Sequence, residues 1–264
     1  SEPTIQSPNK IIPKDKVGDV LKANAERDAL FEDKVFDYPK PTSLIKYLLS
    51  YIDDKDYYVL DFFSGSATSA DSVLRLNSED GGNRKFIMVQ IPEQTDESSK
   101  AFKAGYENIC EIGKERIRRA SDKIVSETGN NDLDIGFKVF KLDSSNLEKW
   151  EPDFNNVQQS LIVDEIKKDR SNDDLVYEIM LKYGIDLTYP IERHNNIYSI
   201  GFGALVICLD DNITKDITNQ ILNFTNSSST SRVVFKDSGF ASDADKTNIK
   251  EILKTNKIDE FITI

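Results

Sequence analysis

Hydrophobic positions along this chain follow two rhythms. Short apolar runs of strand length alternate with longer stretches of helical period. Residues 57–62 (YYVLDF) form an apolar run broken only by Asp61 near its end, the pattern of a strand buried on both faces. Residues 86–91 (FIMVQI) repeat it and are closed by Pro92. Residues 137–142 (FKVFKL) alternate and predict a third strand. Helical spacing predicts a helix over 70–76 and a long charged one over 98–126, with Phe102, Tyr106, Ile109, Ile112, Ile117 and Ala120 inward. Upstream, 19–31 carries Val20, Leu21, Ala25, Leu30 and Phe31 at helical intervals. Pro39 and Pro41 bar a helix before residue 42, where Thr42 or Ser43 can cap one bearing Leu44, Ile45, Leu48 and Leu49. Strand, helix, strand, helix, strand predicts an α/β fold with a parallel sheet covered by helices.

A second α/β pattern follows. The polar stretch 143–159 reads as a linker, with helices expected near 161–168 and 175–183. Residues 187–191 and 198–200 flank a turn-like HNN as a hairpin. A strand is expected at 204–209, a helix at 215–224, a strand at 232–236, a helix at 246–255, and a last strand in the terminal FITI. SSSTS at 227–231 is a short loop. Residues 1–18, with Pro3, Pro8 and Pro13, form a loose lead-in. The expected divisions are 1–33 as lead-in and helix, 34–142 as the first α/β part, 143–159 as linker, and 160–264 as a smaller C-terminal α/β part.

Composition narrows the classes. The chain has 264 residues, 38% hydrophobic and 30% charged, ordinary for a globular protein. No apolar run reaches membrane-spanning length and no signal peptide is visible. Cys110 and Cys208 alone make no disulfide framework, which points to a reducing, cytoplasmic compartment. One histidine, His194, argues against a zinc site. The net charge of −12 opposes DNA binding by the chain as a whole, because phosphates must be met by Lys and Arg.

The segment richest in chemistry is 61–68 (DFFSGSAT). A strand ends at Asp61, the chain turns through small residues, and a helix begins near Thr68. Ligands of open α/β sheets bind beyond the carboxyl ends of strands. Gly65 admits close approach and a positive φ, and the first amides of the helix face the same crevice. The plain alternative is an ordinary β–α turn. Neither GxGxxG nor GxxxxGK[ST] is present.

The residues of 61–68 resemble motif I of the DNA amino-methyltransferases, D-x-F-x-G-S-G-T, with Ala67 in place of the second glycine. Residues 34–49 (KVFDYPKPTSLIKYLL) resemble motif X, F-x-x-P-K-P-x-x-L, matched by Phe36, Pro39, Lys40, Pro41 and Leu44. Motif X just before motif I is the order of the circularly permuted β class. Residues 76–93 and 232–240 look like the Mod subunit of type III restriction–modification systems. The resemblance implies a Rossmann-like S-adenosylmethionine-dependent fold, incomplete here. It implies that Asp61, Phe62, Ser64, Gly65 and Thr68 surround the methionine moiety, with Phe63 and Ser66 also in the cofactor site. Tyr38, Lys40 and Pro41 would close over it, and Gln90 or Glu93 would take the acid's place at the ribose. Singly, Asp61 could be a helix cap, Lys40 a solvated charge and Glu93 mere surface.

Adenine methylation in this family also uses a DPPY motif, whose aromatic ring stacks on a flipped base. The prolines stand at 3, 8, 13, 39, 41, 92, 152 and 190, so no DPPY exists in the chain. In the β class it lies upstream of motif X. The chain therefore reads as a C-terminal fragment that binds the cofactor weakly or not at all by itself and does not methylate DNA. DNA contact, a second Mod copy and the restriction (Res) subunit are the partners the resemblance implies. A non-catalytic assembly module is the alternative, and another nucleotide-using Rossmann enzyme a third. Asp210, Asp211 and Asp237 at strand ends could hold magnesium but read better as turn acids. KERIRR at 114–119 reads as i,i+4 pairing rather than a phosphate patch. Trp150 and Phe154 are a local anchor or a contact point, and His194 an exposed turn residue.

Overall fold

The computed structural model describes residues 12, 14–147, 166–167, 169–225 and 231–264. Trp150, Phe154, Pro3, Pro8, Pro13, and most of the expected helix at 161–168, of the linker and of the SSSTS loop fall outside them; of that helix only 166–167 are described, and Ile166 there bridges to Leu147. The chain divides into two compact units, Ser1–Phe137 and Lys138–Ile264.

In the first unit, α1 (Lys14–Val17) precedes α2 (Val20–Asp28), capped by the Asp19 carboxylate, which accepts from the Lys22 amide at 3.1 Å. Ala23 and Arg27 turn inward, while Val20, Leu21 and Ala25 are exposed. The expected apolar face is thus not the buried one. The helix stops at Asp28, so Leu30 and Phe31 reach the core from a bend, joining Val35, Ala101, Ile112 and Ala120. Helix α3 (Thr42–Leu49) starts where the prolines require. Neither Thr42 nor Ser43 caps it. Glu26 of α2 does so, accepting from the Thr42 amide at 2.8 Å and the Thr42 hydroxyl at 3.0 Å.

Strand β1 (Tyr58–Asp61) pairs in parallel with β2 (Lys85–Met88), with Leu60 beside Ile87 and Val59 beside Phe86. Between them α4 (Thr68–Asp80) ends on Gly81, whose φ of 67° closes the helix at the Asn77 carbonyl. Asn77 then holds both polar groups of the Arg84 backbone, at 2.8 and 3.1 Å, which sets the turn into β2. The expected long helix is two: α5 (Lys100–Lys103) and α6 (Ile109–Thr128). Gly105, at φ 92°, breaks the run, and the Asn108 side chain restarts it by accepting from the amides of Cys110 and Glu111. Phe102 is consequently exposed, and Tyr106 instead meets Phe31 edge-on at 6.1 Å.

The strands are not buried on both faces as expected. Phe86 and Met88 pack toward Ala70 and Leu74 of α4 and Ile117 and Ile124 of α6. On the opposite face Tyr58, Leu60, Ile87 and Val89 are exposed. Among the described residues helices pack against one side only, so the apolar runs are half-buried. Residues 137–142 form no strand. Their apolar members divide, Phe137 joining the first unit's core and Phe140 stacking edge-on against Tyr177 at 4.9 Å.

In the second unit, α7 (Asn172–Lys182) opens with a Ser171/Asp174 capping box. The sheet runs β3 (Ile191–His194), β4 (Ile197–Ile200), β5 (Leu205–Cys208), β6 (Arg232–Phe235) and β7 (Glu260–Thr263) in that order. β3, β4 and β5 are antiparallel neighbours; β5, β6 and β7 are parallel. Helices α8 (Lys215–Phe224) and α9 (Asp243–Thr255) make the parallel crossovers. Leu205 and Ile207 face Leu175, Ile179 and Met180 of α7, while Val206 and Cys208 share a core with Ile221 of α8 and Leu253 of α9. β5 is therefore buried on both faces, as its unbroken apolar sequence requires.

Residues 145–146 are fastened to α7 through Glu178. Its carboxylate accepts from the Ser145 hydroxyl, the Asn146 amide and the Asn146 side chain, each at 2.6 Å, and meets Lys182 at 3.1 Å. Burial alone would raise its pKa, but these donors outweigh it and hold the group at about 2. A carboxylate depressed in the folded state stabilises above its unfolded pKa and loses that contribution as pH falls through the folded one. Glu178→Gln is therefore expected to lower the melting temperature at pH 6, with the gap to wild type narrowing by pH 3, as thermal circular dichroism at the two pH values would show.

Candidate functional site

The loop joining β1 to α4 is built from inside the protein. Asp61, at the end of β1, accepts from the Ser69 hydroxyl at 2.5 Å and the Phe63 amide at 3.2 Å. Both carboxylate oxygens thus hold the turn and the first turn of α4. The Gly65 amide donates to the side-chain oxygen of Gln90 at 2.8 Å, tying the loop to the end of β2. Ser64 donates to the Val89 carbonyl at 3.2 Å. Ala67 sits at φ 60°, ψ 37°, a left-handed conformation costly for any residue with a Cβ. The position where motif I carries its second glycine is the one whose backbone calls for glycine. Gly65 is also left-handed, at φ 52°.

Helix α6 presses on this loop from below. A Cβ at Gly113 would stand 3.3 Å from the Gly65 carbonyl oxygen and 3.5 Å from the Ala67 Cβ. One turn on, Arg116 is 1% exposed and Asp71 of α4 is 0% exposed. Arg116 Nε and Nη2 donate to Asp71 Oδ2 at 3.1 and 3.0 Å, and Nη1 donates to Thr68 Oγ1 at 2.8 Å and Ser66 Oγ at 3.3 Å. Arg75 takes the other Asp71 oxygen at 2.7 Å. Sequence reading missed this pair, assigning all of KERIRR to surface pairing. That holds for Lys114 with Glu111 and for Arg118 and Arg119 with Glu115. The available signal was spacing: residue 116 follows Ile112 by four and precedes Ala120 by four, on the inward stripe.

The motif X-like stretch lies against the same loop. Phe36 reaches to 3.7 Å from where a Gly65 Cβ would be. Its carbonyl is held by the buried Arg27 at 2.7 Å, and Ser72 of α4 donates to the Thr42 carbonyl at 3.3 Å. Arg27 and Glu26, read earlier only as part of a helix, are what fix the stretch. Pro41 is buried; Tyr38 and Lys40 are exposed. Phe62 and Phe63 are exposed, their ring centroids 5.1 Å apart. Glu93 is exposed beyond β2, and the Gln90 amide nitrogen donates to the Ile91 carbonyl at 3.1 Å. The hydroxyls of Ser66 and Thr68 face Arg116 rather than the crevice.

Asp211 and Asp237 pair with Lys236 and Lys246. Among the described residues no cluster of three metal-type ligands occurs, and no helix is long and apolar enough to cross a membrane. Both cysteines are free; burial raises the Cys208 thiol to about 11.

Comparison with known proteins gives the class. No family model matches the chain. It is 47% identical over 112 residues to the type III restriction–modification enzyme StyLTI Mod subunit of Salmonella typhimurium, covering 42% of this chain and 17% of that protein. It is 32% identical over 239 residues to the EcoPI Mod subunit of Escherichia phage P1, covering 88% and 36%. It is 36% identical over 101 residues to the type II methyltransferase M.KpnI of Klebsiella pneumoniae, covering 38% and 24%. The relatives define restriction–modification methyltransferases as the class. Within it, the chain is a homologue of type III Mod subunits over most of its length. The matched stretches span little more than a third of those proteins at most.

Two substitutions test the loop's packing. Gly113→Val should force α6 and the loop apart and destabilise the first unit by about 1–3 kcal/mol, the usual cost of overpacking. Ala67→Gly trades relief of left-handed strain against a freer unfolded chain and should stay within about 1 kcal/mol of wild type. Urea denaturation of the two variants measures both.

Proposed function

We propose that this chain is the S-adenosylmethionine-binding part of a DNA adenine-N6 methyltransferase, the modification subunit of a type III restriction–modification system, on an incomplete Rossmann-like sheet. The observation that carries the reading is the meeting of the two motif-like segments at Phe36 and Gly65, beyond the carboxyl ends of two parallel strands. The local chemistry fits the cofactor. Exposed Phe62, Phe63 and Tyr38 offer apolar faces for a nucleoside and a thioether chain. Lys40 offers a cation for an amino-acid carboxylate, and Gln90 and Glu93 offer hydrogen-bonding groups for ribose hydroxyls.

Bound S-adenosylmethionine supplies the methyl group. The chain's own residues bind and orient. Asp61 and Gln90 shape the turn through their internal hydrogen bonds, Ser64 and Gly65 line it, and Ser66 and Thr68 act by holding the backbone rather than through their hydroxyls. Tyr38, Lys40 and Pro41 close the crevice from the other side. Residues 34–142 form the cofactor half and 160–264 an assembly region. The partners are DNA, engaged through other regions as the charge of −12 requires, a second Mod copy and the Res subunit, in the cytoplasm.

Calorimetric titration with S-adenosylmethionine or its demethylated product tests this reading. Weak saturable binding is expected, removed by Asp61→Ala in a chain that remains folded by circular dichroism. No methyl transfer to duplex DNA is expected from the chain alone. Absence of binding at millimolar ligand, or methylation by the isolated chain, overturns it.

A further inference from the structure

We infer that Arg116 is a positioning residue for the ligand loop, setting its shape from beneath without touching the ligand. The inference rests on the cofactor reading given above and deepens it.

The argument starts from the cost of the side chain's location. A guanidinium removed from water must find acceptors for its donors and a counter-charge. Asp71 provides the charge from α4, through two donors of the Arg116 fork. The remaining nitrogen, Nη1, does not go to a second acid or to a helix carbonyl. It goes to Thr68 Oγ1 and Ser66 Oγ, the two hydroxyls that bracket the left-handed Ala67. The side-chain bonds of Asp61 and Gln90 reach the loop at Phe63 and Gly65 and the helix at Ser69. Arg116 holds the stretch between them. A residue strained at φ 60° persists only where its surroundings over-determine it, and here the fork supplies that constraint from both sides.

Stability alone does not call for this geometry. Asp71 is already paired with Arg75 at 2.7 Å on the outer side of α4, so a charge partner exists without Arg116. Two buried hydroxyls would more simply be replaced by apolar side chains. What the fork adds is a fixed direction for the backbone at 66–68, the edge of the crevice, since a planar group with donors at set angles defines orientation where an ammonium would not.

The test separates positioning from support. Arg116→Lys keeps a cation beside Asp71 but gathers its three donors at one nitrogen, without the planar fork that spans Asp71, Ser66 and Thr68. Arg116→Met combined with Asp71→Asn removes the pair and leaves no fully buried charge unmet, since Arg75, which also loses its carboxylate, is part-exposed. Arg75→Met is the control that weakens Asp71's other contact. Each is titrated with S-adenosylmethionine by calorimetry, and amide exchange at 65–68 is followed without ligand. The expected result is a loss of affinity of roughly tenfold or more in the two Arg116 variants, the scale seen when outer supports of built sites are removed. Exchange at 65–68 should be faster, with unfolding still cooperative, while Arg75→Met binds as wild type. Equal affinity in wild type and both Arg116 variants, or an equal loss in Arg75→Met, overturns the inference. If the wild-type chain itself binds no ligand, the cofactor reading fails, and exchange at 65–68 still decides: unchanged protection in the Arg116 variants overturns the positioning role, and selective loss of protection there supports it.

Discussion

The buried contact between Arg116 and Asp71 is the constraint around which the first unit is arranged. Two charges in an apolar interior tolerate few geometries, because each unsatisfied donor or acceptor there carries a desolvation cost. The pair fixes α4 against α6, and Gly113 lets the two approach closely enough for the loop to be gripped between them. With α4 fixed, Thr42 and Ser72 place α3, Glu26 places the start of α3, and Arg27 places Phe36. A chain of polar contacts thus runs from the interior to the crevice. The apolar side chains supply bulk, and the polar ones supply register.

The two units solve the problem of a parallel sheet differently. In the second unit, helices lie on both faces, and β4 and β5 are buried along their whole length. In the first, among the described residues, α4 and α6 pack on one face, and Leu60, Ile87 and Val89 on the other are exposed. The relatives are much longer proteins, so sealing within the second unit and openness within the first sit on a chain that matches only a part of them.

Much of this was legible in the sequence, because the relevant signals are local. The prolines at 39 and 41 placed the start of α3, the apolar runs placed β1, β2 and β5, and the small-residue turn placed the loop. The order of strands and helices after residue 200 also followed from spacing, while the hairpin before it was legible in kind but misplaced: its first strand is Ile191–His194 rather than 187–191, so His194 lies in the strand and not in the turn. Burial was less legible. Tyr58, Leu60, Ile87 and Val89 read as buried because an apolar run says nothing about whether a covering layer exists. Residues 137–142 read as a strand because alternation does not reveal that Phe137 joins a core while Val139, Phe140 and Leu142 stay exposed. Gly105 was overlooked as a helix break inside a charged stretch. Arg116 was misread since a buried arginine looks like a surface one until its counter-charge, 45 residues away, is known. At the site, Ala67 was visible as a departure from the glycine pattern, but that its backbone is left-handed needed the structure.

The β1–β2 ribbon has an energetic meaning. A two-stranded sheet is marginal by itself, so its order is conditional on the helices that Phe86 and Met88 pack against. Loosening α4 from α6 would release the strands and, through the bonds that Asp61 and Gln90 make from their carboxyl ends, the loop with them.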